Sequence, residues 1–337
     1  MKSTFALALF VAGGHVLGQT ITLPEALAAA RSHRMSVPAA TDAVSASRAT
    51  GAAATAGPPL VLGAGATSRN GLGATDQDLF IAYSPDLFGR TAAARKMADA
   101  AHFRVLAEQR RTLLDVQSDV MSAYIEAYAT SRQTVAAAGL FEVAEALFRA
   151  TQRRFEEGKV PEVQLSLTRI ERDRAGQTVV HLKSKEQAAL RRLAGAMGTR
   201  DVPTSVAALD LAEPEVQVGM RPDVMLVFAE SAIAEAEALA AARENAPDFE
   251  LTALRSPWSD PASQVALRVQ LTWRIGDFGK TRSSVNAARL RARSLQAQVE
   301  DLMQRAQAEL DANALEVESA KARLGSSEAI RRAAVDL

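Results

Sequence analysis

Two short strings that lie 190 positions apart divide this chain into two related halves. FGRT occupies positions 88–91 and FGKT occupies positions 278–281. Further upstream, AGPPLVLGAGA follows one long alanine-rich segment and NAPDFELTALR follows another, with Pro59 against Pro247 at an offset of 188. A third segment, upstream of both, also recurs, since RMSVPAATDAVSASRA lines up with RPDVMLVFAESAIAEA. This alignment places Met35 against Pro222, at an offset of 187. Landmarks that recur in the same order at a nearly constant offset indicate a duplicated supersecondary unit.

Each half of the sequence predicts a helix, two strands and a second helix. We expect a first repeat over 19–205, with a hairpin at 59–86, a long helix at 90–157 and a returning helix at 162–198. We expect a second repeat over 206–337, with a helix at 220–246, a hairpin at 248–276 and a helix at 280–335. The counterpart of Phe155 falls beyond Leu337, so the second repeat is expected to be incomplete at its C-terminal end.

The helices in this pattern are unusually long. Between Thr91 and Glu157 the chain has no proline and a single glycine, Gly139. At 1.5 Å per residue, such a helix would be about 100 Å long. Gly158 and Pro161 end it, since glycine adopts the left-handed turn conformation and proline cannot continue a helix interior. No compact domain of this mass buries a rod of that length, so we expect coiled-coil packing.

One strand carries the sharpest pattern in the sequence. QVALRVQLTWRI, at 264–275, alternates without a break between the two faces of a strand. The apolar row contains Val265, Leu267, Val269, Leu271 and Trp273, and the other row contains Gln264, Arg268, Gln270 and Arg274. Arginines indicate water on their face, and a tryptophan near one end suits a membrane interface. We therefore expect the polar row to line an aqueous lumen and the apolar row to face lipid.

The number of strands requires more than one copy of the chain. Four strands in two hairpins leave open edges, which cannot persist in lipid because their backbone groups find no partners there. Four strands are also too few to close a barrel with room inside. A membrane role therefore predicts an oligomer. In each half we also expect a bend between strand and helix, at Gly89 and at Gly279. The alternative is a soluble sheet whose strands are half buried.

Composition excludes several other classes of protein. Residues 1–18 read as a signal peptide, with Lys2 before an apolar run. The chain has no cysteine, and its 4 histidines are far apart, so we expect no disulfide, no thiol nucleophile and no metal site. The 39 basic and 39 acidic residues balance, which argues against nucleic acid as a partner. GKT at 279–281 lacks the glycine of a phosphate-binding loop, because Arg274 stands there.

Several further motifs, taken together in their order, resemble the TolC-like outer-membrane efflux protein family. They are ITLPEALAAA after the signal peptide, AYIEAY at 123–128, RRFEEGKVPEVQLSLTRIERDRA at 153–175, RPDV at 221–224, and FGR and DFGK at the two bends. The resemblance covers essentially the whole mature chain and implies an α+β fold with a tandem repeat. It also implies that three protomers each give four strands to a twelve-stranded transmembrane β-barrel. Their long antiparallel helices would form a coiled-coil barrel in the periplasm, with 199–219 in a small belt.

The resemblance implies a passive exit duct that is not an enzyme, with no catalytic group and no cofactor. Such a homotrimer would lie in the outer membrane of a Gram-negative bacterium, with most of the chain in the periplasm. It would export small molecules, such as drugs and possibly metal ions, or serve secretion. Its partners would be outer-membrane lipid, a periplasmic adaptor (membrane fusion) protein and an inner-membrane RND or ABC transporter.

The adaptor contact implied by the resemblance is the helical tip at Gly158, Lys159 and Val160. An equally compatible interpretation is that Gly158 merely ends the helix. A different class of function also stays open, a periplasmic coiled-coil scaffold or adaptor that never enters the membrane.

Overall fold

A computed structural model describes residues 20–68, 75–209, 218–255 and 265–335. The predicted signal peptide at 1–18 and Gln264 of the predicted polar row lie outside the described residues. The chain divides into two compact units, Met1–Ala39 with Thr112–Pro214 and Ala40–Arg111 with Glu215–Leu337.

The first unit is a helical bundle with a two-stranded parallel sheet. It contains β1 (Thr20–Ile21), α1 (Leu23–His33), the C-terminal part of α3 (Arg90–Glu156), α4 (Glu162–Met197) and β4 (Ser205–Val206). Thr22 and Glu25 form a capping box at the start of α1, in which each side chain binds the backbone N–H of the other residue. The core of the unit consists mainly of small and aliphatic side chains, among them Ala26, Ala30, Val120 and Leu193, together with the aromatic ring of Tyr124.

Tyr124 holds the small sheet of this unit against α3. Its side chain is completely buried, and its hydroxyl lies 3.0 Å from the carbonyl oxygens of Ile21 and Ala207. Thr20 pairs with Ser205 in the sheet. The segment 199–219, predicted to belong to a belt, thus contributes β4, while 210–217 lie outside the described residues.

The second unit contains the longer sheet and the helices that flank it. The helices are α2 (Ser36–Ala54), the N-terminal part of α3, α5 (Pro222–Arg243) and α6 (Lys280–Val335), with a 3-10 turn at Val218–Met220. Small residues allow α5 and α6 to pack closely, since Ala234, Ala292 and Leu295 form their buried contact. The rings of Phe103 on α3 and Phe228 on α5 meet edge to face with centroids 6.1 Å apart.

The four strands of this unit form one antiparallel sheet. They are β2 (Val61–Ser68), β3 (Thr75–Tyr83), β5 (Asp248–Arg255) and β6 (Val265–Thr272), and they are adjacent in that order. Each hairpin contributes two neighbouring strands, and β3 and β5 join the hairpins at the centre. The edges of this sheet within the described chain are β2 and β6. None of the described helices combines the length and the apolar character that crossing a membrane requires.

The structure differs from the sequence expectations at two places. A single first helix was expected, but the helix breaks after His33, where Arg34 takes an extended conformation, and α2 begins at Ser36. The strand expected at 264–275 ends at Thr272, which pairs with Asp248. Asp248 is the first residue of β5, and Pro247 directly before it has no N–H to add to a ladder.

Candidate channel-forming sheet, corners and helical tip

One face of the four-stranded sheet carries apolar side chains in a row that runs from edge to edge. Arg255 lies on the same face at the end of β5, between Leu79 and Val265 in the register. The cross-strand register aligns Leu62, Ile81, Ala253 and Leu267 in one row. The side chains of Leu62 and Leu267 are 75% and 74% exposed, although both belong to a sheet of four strands. Such a contiguous exposed apolar surface marks contact with a partner or with lipid.

The opposite face of the sheet carries polar side chains beside Phe80 and Leu254. Thr252 lies between Ala82 and Arg268 in the register, and its hydroxyl contacts the carboxylate of Glu250 at 2.8 Å. Arg268 is exposed. Gly63 pairs with Phe80 on the same face, and the Phe80 ring covers Gly63 so closely that a Cβ there would lie 2.1 Å from a ring carbon.

The two predicted rows of β6 lie on opposite faces of the sheet. The register places Val265, Leu267, Val269 and Leu271 on the apolar face, and Arg268 and Gln270 on the polar face. Trp273 and Arg274 were predicted to continue these rows, and the structure places both after the end of β6. The period-two pattern runs past the last residue that has a pairing partner, which is why it overestimates the length of the strand.

At the first corner, between β3 and α3, an aspartate caps the helix. Gly89 has a φ of 78°, which allows the chain to bend directly before Arg90. The Asp86 carboxylate accepts hydrogen bonds from the backbone N–H groups of Arg90, at 3.0 Å, and Thr91. Burial raises the pKa of Asp86, but the hydrogen bonds from Thr91, Arg90 and Phe88 outweigh it and lower the pKa to about 2.

The side chain of Arg90 reaches from this corner to the connection between α5 and β5. Its guanidinium donates to the carbonyl oxygens of Arg243 and Ala246 and forms an ion pair with Asp248. A planar guanidinium can satisfy several acceptors in different directions, which a lysine ammonium cannot do in this geometry. Arg90 therefore ties the first hairpin to the second.

At the second corner, between β6 and α6, Asp277 caps the helix in the same way. Gly279 has a φ of 88°, and its N–H donates to Asp277 at 3.0 Å. The backbone N–H of Thr281 donates to the other carboxylate oxygen at 2.8 Å. The side chain and backbone of Thr281, followed by Gly279, lower the pKa of Asp277 to about 2. These amides already bind a carboxylate, so they are not free to hold a phosphate.

The second corner also forms hydrogen bonds with the connection between α5 and β5. The amide nitrogen of Asn245 donates to Asp277 and to the Thr281 hydroxyl, both at 2.7 Å. Lys280 donates to Glu244 at 2.9 Å. The connection is thus held by Arg90 from one corner and by Asp277, Thr281 and Lys280 from the other.

Sequence reasoning identified Gly89 and Gly279 as bends but missed the side chains that fix them. The available signal was an aspartate shortly before each helix start, Asp86 and Asp277, because aspartate is a favoured capping residue. The partners Asn245 and Arg90 had no local signal, since they act across the sheet. In DFGK at the second corner, Asp277 is thus the residue that caps the helix.

The helical tip is a tight turn between α3 and α4. Gly158 has a φ of 71°, its N–H donates to the Phe155 carbonyl at 2.8 Å, and the N–H of Lys159 donates to Arg154 at 2.8 Å. This pair of bonds is the Schellman motif that ends many helices. The Lys159 ammonium forms an ion pair of 2.7 Å with Glu157, Gly158 and Lys159 are exposed, and Val160 is half-buried.

Long paired helices, a four-stranded sheet with an exposed apolar face, and capped corners between the two define a channel subunit of the outer membrane. The outer membrane efflux protein family matches residues 26–199, just over half of the chain. The chain belongs to this family. It is an outer-membrane efflux channel subunit of the TolC-like type, and it is not an enzyme. The predictions of the family, of a TolC-like fold of long helices and strands, of an efflux channel subunit and of the outer membrane are confirmed.

Solved structures share this fold at low sequence identity. CusC, described in connection with transmembrane channel formation, has a TM-score of 0.73 and 17% identity, over 87% of this chain and 75% of that one. The outer membrane protein VceC from Vibrio cholerae has a TM-score of 0.73 and 16% identity, over 91% and 81%. The CmeC outer membrane channel from Campylobacter jejuni has a TM-score of 0.68 and 16% identity, over 85% and 68%. No curated protein matches the chain in sequence.

Proposed function

We propose that three copies of this chain close a twelve-stranded barrel, which serves as a passive exit duct. The observation that carries the proposal is the apolar face of the sheet, which runs from β2 to β6 and ends at two strand edges. Closure is the way to satisfy the backbone groups of such edges in lipid. Four strands from each of three copies give a barrel wide enough for an interior.

In this barrel the row of Val265, Leu267, Val269 and Leu271 faces lipid, and Arg268 and Gln270 face the lumen. Alternation of apolar and polar residues is the rule in outer-membrane barrels, whose interiors are polar. The opposite orientation would bury the Arg268 guanidinium in hydrocarbon, which is costly for an unpaired charge. Trp273 and Arg274 follow the strand and would lie at the rim on the helical side.

The helices extend the duct toward partners in the periplasm. We assign the tip at Gly158, Lys159 and Val160, of which the first two are exposed, to contact with a periplasmic adaptor, which would link the channel to an inner-membrane RND or ABC transporter. The turn is well suited to docking, because its backbone is fixed by two hydrogen bonds while its side chains remain accessible. The cargo would be small molecules, such as drugs and possibly metal ions, or a secreted product.

Assembly and conductance test this proposal directly. The purified protein should migrate as a heat-dissociable trimer from outer-membrane fractions, and it should conduct ions in planar lipid bilayers. A scaffold that never enters the membrane would instead refold as a soluble protein without detergent and would leave the bilayer silent. That outcome would contradict the channel and favour the periplasmic alternative.

A further inference from the structure

The two hairpins have the same register relative to the corners that follow them. Val61 begins β2 and pairs with Ala82, and Asp248 begins β5 and pairs with Thr272. Ala82 lies 7 residues before Gly89, and Thr272 lies 7 residues before Gly279. β2 therefore corresponds to β5, and β3 corresponds to β6. This correspondence comes from backbone pairing and is independent of side-chain similarity.

The junction between the hairpins within one chain has a defined stagger. Tyr83, which lies 6 residues before Gly89, pairs with Leu251, which lies 3 residues after Asp248. In a closed barrel all strands share one tilt, and the tilt is fixed by the stagger between neighbouring strands. Because β6 corresponds to β3 and β2 corresponds to β5, we give the junction between two copies the stagger of the junction between β3 and β5.

We infer that β6 of one copy pairs antiparallel with β2 of a second copy, with Trp273 opposite Ala64. Trp273 lies 6 residues before Gly279, and Ala64 lies 3 residues after Val61, as in the junction within the chain. The same register puts Leu271 opposite Ala66. This pairing rests on the proposed function, in which copies of the chain close the sheet, and it specifies which residues meet.

The inferred register agrees with the faces of both edge strands. Ala64 pairs with Leu79 and lies on the apolar face together with Leu62. Trp273 follows Leu271 by two positions, so a strand extended to include it keeps it on the same face. A slip of one residue would place Trp273 opposite Gly63 or Gly65 and would bring the apolar face of one copy against the polar face of the next.

The register also gives Trp273 a place in a strand. Within one chain Trp273 follows the end of β6 and is 61% exposed. Pairing with Ala64 would extend β6 by one residue, just as Tyr83 is the last residue of β3. Tyr83 and Trp273 would then occupy equivalent positions, where an aromatic girdle meets the membrane interface.

Disulfide trapping tests this register, because the natural chain contains no cysteine. The test pairs are Ala64→Cys with Trp273→Cys and, retaining the tryptophan, Ala66→Cys with Leu271→Cys. The controls, Leu62→Cys with Trp273→Cys and Ala64→Cys with Leu271→Cys, shift the register by two residues on the same face. Directly opposed antiparallel residues have Cα atoms about 4.5–5.5 Å apart, which suits a disulfide.

A link within one copy is excluded by distance. β2 and β6 are separated by three strand spacings, about 14 Å in total, which is beyond disulfide reach. After mild oxidation in outer membranes, we expect both test pairs to give reducible dimers and trimers on denaturing gels. We expect at least about tenfold less product from the controls, since diagonal neighbours lie about 7–8 Å apart.

The outcomes separate the register from the proposed function. If the trimers conduct but the controls cross-link as well as the test pairs, the register is wrong. The register is also wrong if the trimers conduct and neither test pair cross-links. In both cases the proposed function stands. If the unmodified chain forms neither trimers nor conducting pores, the proposed function fails and the pairing fails with it. Products of both test pairs at the size of a linked dimer and trimer would support the inference.

Discussion

Asn245 and Asp277 meet across the second corner, where the side-chain amide of Asn245 donates a hydrogen bond of 2.7 Å to the carboxylate. The same amide nitrogen lies 2.7 Å from the Thr281 hydroxyl, so one side chain joins the end of α5 to the start of α6. Asp277 anchors a helix end and holds the neighbouring connection.

The first prediction concerns Asp277→Asn, which keeps the size of the side chain but removes its charge. The single oxygen of the new amide can still accept a hydrogen bond from one backbone N–H. The NH₂ group that replaces the other oxygen would face a second backbone donor. We expect a moderately lower melting temperature at neutral pH, with assembly retained and no change on addition of divalent metal. Thermal unfolding of the detergent-solubilised protein measures it. Loss of assembly restored by metal would contradict the capping role.

The effect of Asp277→Asn should also depend on pH. The pKa of Asp277 is lowered from 3.8 to about 2 in the folded protein, so the charged carboxylate stabilises the fold above the ordinary value. This contribution is lost as the pH falls from 3.8 toward about 2. We expect the difference in melting temperature between natural protein and variant to be constant near neutral pH and to shrink in that window. Asp86→Asn, at the first corner, should show the same dependence on pH. A difference in melting temperature that does not change with pH would contradict this prediction.

The second prediction concerns the close approach of Gly63 and Phe80. In Gly63→Ala the new Cβ would lie 2.1 Å from a ring carbon, so the ring must move. Overpacking of this kind costs about 1–3 kcal/mol. We expect lower thermal stability of the assembled channel, and we expect Phe80→Ala to remove most of the additional cost of Gly63→Ala. A double-mutant cycle in detergent measures this coupling.

The matched control for Gly63 is Gly139, in the interior of α3. A Cβ at Gly139 meets nothing within 4 Å, so Gly139→Ala should be neutral or stabilising by up to about 1 kcal/mol. Equal effects of the two substitutions would show that the Phe80 ring does not constrain position 63.

The sequence predicts the local elements of this fold well because their signals are local. Alternation puts Leu267 and Arg268 on opposite faces of a strand, since the side-chain period of a strand is fixed at two residues. The termination of α3 and the start of α4 lie beside Gly158 and Pro161, where backbone chemistry forbids helix continuation.

The end of β6 and the partners at the corners could not be predicted in this way. The alternation continues past Thr272, but a strand ends where its pairing partner ends, and the start of β5 after Pro247 decides that. Asn245 lies 32 residues from Asp277, and only the packed hairpins bring them together. Tertiary contacts of this kind have no period and no adjacent motif in the sequence.

The third prediction tests the orientation of the sheet with two neighbouring residues. Leu267→Arg places a charge on the apolar face and should cost about 2–4 kcal/mol if the position lies near the bilayer midplane. We expect little or no trimer in outer-membrane fractions for Leu267→Arg. Arg268→Ala should assemble normally and should chiefly change the single-channel conductance and ion selectivity. Equal tolerance at both positions would reject the assignment of the two faces.

The fourth prediction concerns the backbone of the helical tip. Gly158 has a φ of 71°, and a side chain in the left-handed region costs about 1–2 kcal/mol. We expect Gly158→Ala to increase amide hydrogen exchange in the last turn of α3 and the first turn of α4. Gly195→Ala is the control, because a Cβ at Gly195 in α4 meets nothing within 4 Å. Unchanged protection at the tip would contradict a conformational role for Gly158.

The fifth prediction concerns Arg90, whose guanidinium binds two carbonyl oxygens and the Asp248 carboxylate. Its side chain is 41% exposed, so solvent screening limits the stabilisation that the ion pair contributes. Most of the stabilisation by Arg90 therefore comes from its directed hydrogen bonds. We expect Arg90→Lys to lose about 1–2 kcal/mol, because an ammonium cannot reach all three acceptors.

Thermal dissociation of the trimer measures the Arg90 effect, with Arg95→Ala, an exposed residue on the same helix, as the control. Combining Arg90→Lys with Asp248→Asn should cost less than the two single changes together, because residues that share an ion pair are coupled. Strict additivity would place the contribution of Arg90 in the carbonyl contacts of Arg243 and Ala246 alone. A loss no larger than that of Arg95→Ala would show that the first corner holds the α5–β5 connection by packing, without the guanidinium.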